Sequence, residues 1–371
     1  VRPYELYYWK PGDEQAKRIV EKEHSAFPDT WRISENGEVH FSENGNRLFF
    51  GTAPQPVLND TMLTEDEVID VEVWNWQDQR LITQQNVEKE EDQKKIYLAM
   101  VDPVSNNVLQ IATEEISYLD IPNEHNSRYA ILGSNVNYLK YTSWEGFPPR
   151  QDLYILDLQS GERSQVASEI RGGASISPAG NYLLWYSLPD SAWFSWSIAE
   201  KKEYRLTQNT PYPFYDEEDD HPDYPSAYGN AGWLKDDEAV WIYDRYDIWQ
   251  FDPRNSTAAL NLTKNGRVTK NVYRYQDVDN DKEYIDPDGP IYIRGFNEVT
   301  KGTGYFRYNP KRNELKSLVW NDGQRFRNLK KAQDSRELLF TYENFYIFPD
   351  LQYTTNDFKT ASKISNANPQ Q

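Results

Sequence analysis

One stretch constrains the fold more than any other: Gly232 to Pro253, GWLKDDEAVWIYDRYDIWQFDP. A charged turn, Lys235-Asp236-Asp237-Glu238, precedes an apolar run from Ala239 to Tyr243. A second turn, Asp244-Arg245, leads into Tyr246, Ile248, Trp249 and Phe251, and the pattern stops at Asp252-Pro253. Short β-branched and aromatic runs punctuated by turn residues read as consecutive antiparallel strands. The unit recurs. Asn44-Gly45-Asn46 precedes Arg47 to Phe50, and Asn-Gly suits the positive-φ positions of a hairpin turn. Asn126-Ser127-Arg128 precedes Tyr129 to Leu132, and Pro178-Ala179-Gly180-Asn181 precedes Tyr182 to Trp185. Asp286 to Pro290 precedes Ile291-Tyr292-Ile293, and Asp334-Ser335-Arg336 precedes Glu337 to Phe340.

The spacing of these events is roughly 46 to 57 residues, apart from a first interval of about 80. A period of about 40–50 residues with four strands each points to a β-propeller. Residues 59–95, acidic and polar around Val71 to Trp76, account for the long interval as an insertion within a blade. Second hairpins fill the repeats: Ile96 to Val101 with Val108 to Ile111, Leu153 to Leu158 with Ser164 to Ala167, and Tyr305 to Tyr308 with Leu315 to Val319. Tyr4 to Trp9 and Ala16 to Val20 read as a trailing half-blade within 1–24. The expected fold is all-β, a propeller of about six to eight four-stranded blades truncated at its N-terminus, with the aromatics packed between blades. A pair of β-sandwiches is the alternative, but a sandwich does not require a fixed period.

Composition narrows the partners. No apolar stretch approaches the roughly 18 residues of a membrane span, and the start has no charged segment followed by an apolar one, so no signal peptide is expected. The chain has no cysteine, which excludes disulfides and thiolate metal sites. A net charge of −19 repels nucleic acid and anionic membrane. It also fits a large, well-solvated surface.

The Gly232–Pro253 stretch resembles the propeller domain of prolyl oligopeptidase family serine peptidases, the group that includes dipeptidyl peptidase IV-like enzymes. It looks most similar to the large versions of Bacteroidetes-type bacteria. Phe41 to Thr52, Val71 to Asp78, Ser177 to Leu183, Tyr215 to Glu218 running on to Tyr228-Gly229, and Asp286 to Phe306 carry the same likeness. Phe358-Lys359 to Asn368-Pro369 looks like the segment before the hydrolase domain, so 355–371 is expected to be a linker. The resemblance covers nearly the whole chain. It implies a propeller that caps an α/β-hydrolase domain bearing a Ser-Asp-His triad and restricts access to small or unfolded peptides. It also implies an extracytoplasmic, periplasmic location.

The chemistry of that family does not map onto this chain. A nucleophile elbow needs Gly-x-Ser-x-Gly, and the nearest match, Gly173-Ala174-Ser175-Ile176-Ser177, lacks the second glycine and leads into a strand. No catalytic residue is assigned. His24, His40, His125 and His221 are scattered, without zinc-ligand spacing. No metal and no cofactor are expected.

The run Asp216-Glu217-Glu218-Asp219-Asp220-His221 is the densest charge cluster. Asp216, Glu217 and Glu218 could grip the α-amino group of a peptide through charge-assisted hydrogen bonds, as the paired glutamates of dipeptidyl peptidase IV-like enzymes do. A solvated loop between blades and a metal site are the other readings. Asp277-Val278-Asp279-Asn280-Asp281 imitates the start of a calcium loop, but Lys282 and Asp288 stand where glycine and glutamate belong, so it reads as a turn. Trp74, Trp76, Trp193 and Trp196 read either as blade packing or as a surface for a peptide or sugar.

Two functions follow. One is the non-catalytic portion of a prolyl oligopeptidase-like peptidase, gating peptide substrate and docking the α/β-hydrolase domain of the same parent protein. The other is a binding propeller for a glycan or protein partner.

Overall fold

The structure is a computed structural model. It describes residues 3–56, 62, 64, 67, 71–122, 125–278, 282–355 and 357–370. Two compact units divide it, Val1–Gly173 and Ala174–Gln371. Both are built from the four-stranded antiparallel blades of a β-propeller.

The first unit opens with a two-stranded sheet, Leu6–Tyr8 against Lys17–Val20. The first blade orders Trp31–Ile33, Leu48–Pro54, Tyr97–Val101 and Val108–Gln110, and His40–Phe41 pairs beside Leu48–Pro54. The second orders Tyr118–Asp120, Tyr129–Ser134, Arg150–Asp157 and Arg163–Arg171.

Among the described residues the second unit holds four blades. The third is Ala174–Ile176, Tyr182–Ser187, Ala192–Ser197 and Lys202–Arg205; the fourth is Asn230–Trp233, Val240–Tyr243, Ile248–Phe251 and Leu260–Asn261. The fifth is Asn271–Gln276, Ile291–Asn297, Thr303–Asn309 and Glu314–Asn321; the sixth is Arg325–Lys331, Leu338–Glu343, Leu351–Thr354 and Ser362–Lys363. The last strand of the sixth blade therefore comes from within the stretch 355–371.

Inner strands such as Tyr182–Ser187 and Val240–Tyr243 are largely apolar without alternation because both of their faces are covered. In Val240–Tyr243, Val240 and Ile242 cluster with Tyr182, Leu184 and Trp193 of the third blade. Trp241 and Tyr243, one residue out of phase, cluster with Tyr273, Ile293 and Phe306 of the fifth. Trp241 is completely buried, and a side chain of that size contributes about 3–5 kcal/mol against truncation to alanine. In the first unit, Phe49 and Met100 pack against Ala130, Leu132 and Leu156 of the second blade, while Phe50 and Val101 pack against Ile19 and Val20.

Strand order fixes where the connections emerge. In an antiparallel sheet ordered one to four, the link from second to third strand and the link to the next sheet leave from the same end. The other two links leave from the opposite end. The segments 55–96, 135–149 and 206–229 fall on the first kind of link, and the acidic segment 277–290 falls on the second.

Residues 71–77 form no strand. A helix, Ile82–Lys94, follows them, and helical apolar spacing does not announce it because none of its residues is buried. It is instead rich in Gln, Glu and Lys, which are good helix formers. Arg80 secures it, with Nη1 and Nη2 each 2.6 Å from the carboxylates of Glu88 and Asp92.

Candidate functional site

The turn between the second and third strands of the fourth blade is Asp244-Arg245-Tyr246-Asp247. Asp244 is fully buried, and its carboxylate accepts hydrogen bonds from Tyr246 N at 2.7 Å, Asp247 N at 2.5 Å and Trp249 Nε1 at 3.1 Å. Burial pushes its pKa up against these bonds. Asp247, also buried, accepts from Thr263 Oγ1 at 2.5 Å and Gly266 N at 3.0 Å. Glycine is required at 266, because a Cβ there would lie 2.6 Å from Asn271 O and 2.8 Å from Asp247 Oδ1. The two aspartates thus set the turn and dock the following loop on it.

This frame aims three arginines. Arg245 Nη2 lies 2.6 Å from Glu218 Oε1 and donates to Glu298 Oε1 and Oε2, each at 3.1 Å. Tyr246 Oη donates to Glu298 Oε2 at 2.8 Å. Burial opposes the charge on Arg245, but the two glutamates outweigh it and raise its pKa. Arg267 makes a two-pronged pair with Glu217, 3.1 Å to Oε2 and 3.0 Å to Oε1, and stacks 4.1 Å over the Tyr212 ring. Arg274 stacks 4.5 Å over Tyr243 and donates to the carbonyls of Asp244 and Arg245 at 3.3 and 3.2 Å. Burial lowers its pKa.

Asp216 accepts from Tyr228 Oη at 3.2 Å, and that oxygen accepts from Glu217 N at 2.8 Å. The Tyr228 hydroxyl is pushed up to about 12, by burial before the nearby carboxylates.

The three expected acidic residues are therefore brought together, but each has a protein partner. Glu217 is held in a two-pronged pair and mostly covered. Glu218 is 69% exposed at its side chain, so its ion pair can open for about 0–1 kcal/mol. It is the member of the three best able to meet an incoming cation.

The arginines that complete the cluster, together with Tyr246 and Glu298, were not singled out from sequence. The available signal was a pair of aspartates flanking an arginine between two largely apolar strands.

Trp74 and Trp76 lie on the first unit, 69% and 90% exposed. They are not blade packing, whereas Trp193 is buried. Among the described residues, three metal-ligating side chains converge at Asp219, Asp220 and His221, with ligand atoms within 4.8 Å of one another. Asp279 to Asp281 of the calcium-like run lie outside the described residues. Sequence spacing also hides a histidine pair: His40 Nε2 and His125 Nδ1 sit 3.2 Å apart. Burial first, then His40, lowers the pKa of His125, and Asp120 opposes them.

No family model matches the chain, and no curated protein matches it. Among solved structures it is similar to one from a study of two prolyl endopeptidases, at 12% identity and a TM-score of 0.43, covering 97% of this chain and 46% of that one. The chain thus spans less than half the length of that protein. It is also similar to an oligogalacturonate lyase from Vibrio parahaemolyticus, at 10% identity and a TM-score of 0.38, covering 97% of this chain and 84% of that one. The β-propeller domain of the trilobed protease from Pyrococcus furiosus matches at 10% identity and a TM-score of 0.34, covering 90% of this chain and 85% of that one. Among the described residues, no helix is long and apolar enough to cross a membrane.

Proposed function

We propose that the chain is the non-catalytic propeller of a prolyl oligopeptidase-like serine peptidase, which gates peptide access and docks an α/β-hydrolase domain of the same parent protein. The observation that carries this reading is the Arg245–Glu218–Glu298 and Arg267–Glu217 network. It ties together links of the third, fourth and fifth blades that leave from one end of the sheets. Such a rim is held in place while Glu218 stays available to a peptide ammonium. The chain contains no Gly-x-Ser-x-Gly pentapeptide, so the nucleophile belongs to the hydrolase domain. The family likeness adds an extracytoplasmic, periplasmic location to the proposal.

Labelling with a fluorophosphonate probe tests it, on this chain and on the full gene product. Label on the full product alone is expected. Label on residues 1–371 would overturn the assignment of chemistry elsewhere, and label on neither would remove the peptidase reading. Within it, Glu218→Gln is expected to weaken binding of peptides with a free amino terminus about tenfold, about 1.4 kcal/mol. Acetylated peptides are expected to bind wild type and variant alike.

A second reading, a binding propeller for a glycan or protein partner, rests on the exposed Trp74 and Trp76. Glycan-array or pull-down signals lost in Trp74→Ala or Trp76→Ala would favour it. A blank result with folded protein would count against it.

A further inference from the structure

Within the first unit, two links of neighbouring blades touch where His40 meets His125. His40 precedes the 42–47 turn of the first blade, and His125 lies in the loop between Tyr118–Asp120 and Tyr129–Ser134 of the second. Asn44 N donates to Asn126 Oδ1 at 3.1 Å, Asn126 Nδ2 donates to Glu43 Oε2 at 2.9 Å, and Arg47 donates to the carbonyls of His125 and Ser127. Three rings pack at the same seam. The centroids of His40 and His125 are 4.8 Å apart, and Phe49, completely buried, lies 5.4 Å from the first and 5.1 Å from the second.

The surroundings set the proton count of the ring pair. With His40 Nε2 and His125 Nδ1 at 3.2 Å, one nitrogen carries a proton and the other accepts it. His40 Nδ1 is buried without a hydrogen-bond partner. An N–H there would be stranded, so the single proton of neutral His40 sits on Nε2 and points at His125. Neutral His125 then carries its own proton on Nε2. Neither ring has a favourable place for a second one. On His40 it would occupy the stranded Nδ1 of a ring stacked on Phe49. On His125 it would occupy the nitrogen that already accepts from His40. With both rings charged, two N–H groups would face each other.

The charged groups around the pair do not reverse this. Arg47 brings a positive charge to the His125 carbonyl, and Asp157, which acts on Arg47, pairs with Arg128 at 2.7 Å. Glu43 is engaged by Asn126. Asp120 favours a charge on His125, but burial and His40 outweigh it. A metal ion is the other group that two facing imidazoles could share. Among the described residues no third ligand converges on them, and His40 Nδ1 lacks the acceptor to which a ligating imidazole hands its second N–H.

We infer that His40 and His125 form an acid-operated latch: the neutral pair closes the seam between the 42–47 turn of the first blade and the 125–128 loop of the second, and protonation opens it. His125 is held below the ordinary histidine value of about 6.5, so the open form takes up protons first. The latch is closed above about pH 6.5 and releases as pH falls beneath it. Asp120 works in the opposite sense, because burial pushes its pKa up and its protonation favours the closed form. The inference does not depend on the peptidase reading.

Amide exchange at about pH 7.5 and about pH 5.5, corrected for the chemical exchange rate, tests it. In the wild type, residues 41–47 and 125–128 are expected to exchange several-fold faster at the lower pH. Arg150–Asp157, in the same unit, reports that each variant is folded and is expected not to change. His125→Asn suits the left-handed backbone at φ 64°, and His40→Phe keeps the stack on Phe49. Each is expected to shrink the acid step, and the double variant to abolish it. Asp120→Asn is expected to enlarge it. Zinc chloride at about pH 7.5 is expected to leave exchange unchanged. No acid step in the wild type overturns the latch, and so does a step that persists in the double variant or vanishes in Asp120→Asn. Zinc-dependent slowing that His125→Asn abolishes also overturns it, in favour of a metal site.

Discussion

Asp237 shows how much one side chain can settle. It is 2% exposed in the turn before Val240–Tyr243. Its carboxylate accepts from Ser177 Oγ at 2.6 Å, Ala179 N at 3.1 Å, and both Asn181 N and Nδ2 at 3.1 Å. The Ser177-Pro178-Ala179-Gly180-Asn181 turn of the third blade is thereby fastened to the turn of the fourth. Asp237→Ala removes the acceptor of four hydrogen bonds and is expected to cost about 3 kcal/mol in urea unfolding. Adding Ser177→Ala to it should cost less than the sum of the two single changes. Asp350 does the same work for the final strand, accepting from Lys363 Nζ at 2.6 Å, Ser365 Oγ at 2.7 Å and Ala367 N at 2.8 Å. These partners, Lys363 foremost, hold its pKa down to about 2. A depressed carboxylate stabilises the fold above its unfolded value of about 4, and that contribution is lost as pH falls toward 2. Amide exchange at 362–367 is expected to accelerate across that window, and Asp350→Asn should remove the step. The turns at 178–181 and 236–238 are readable in the sequence as turns. The aspartate acceptor that joins them is not, because which carboxylate meets a turn 60 residues away depends on blade packing.

At the level of elements, the strands were legible because their two buried faces leave long aromatic and β-branched runs that few other structures accept. Tyr129, Tyr182, Val240 and Ile291 each begin a second strand directly after the turn that the sequence marks. The helix Ile82–Lys94 was not legible, since a helix that buries nothing has no apolar stripe to read. Its stability comes from local ion pairs and from propensity. Arg80→Ala is therefore expected to speed amide exchange across 82–94, while global unfolding moves by less than about 0.5 kcal/mol. A larger global change would mean that the helix packs on the blade in solution. The candidate site was half legible. Its acids stand out as a run, but the arginines that neutralise them, Arg245 and Arg267, come from two separate links and converge through topology alone.

For the whole molecule, net charge competes with local pairing. Each ion pair of the Arg245 and Arg267 network weakens as salt rises, whereas repulsion among the surplus of 19 negative charges is relieved. The pairs are few and partly covered, and the surplus spreads over the surface. Raising NaCl to about 0.5 M is therefore expected to increase Tm; a fall would show that the pairs dominate. The placement of the links has an evolutionary consequence. The segment between Leu48–Pro54 and Tyr97–Val101 begins and ends on neighbouring strands whose register is set by Phe49, Phe50, Ala99 and Met100. Its length and sequence are free of that register. Lineages can lengthen, shorten or rewrite it while the strands it joins stay under an unchanged selection for packing.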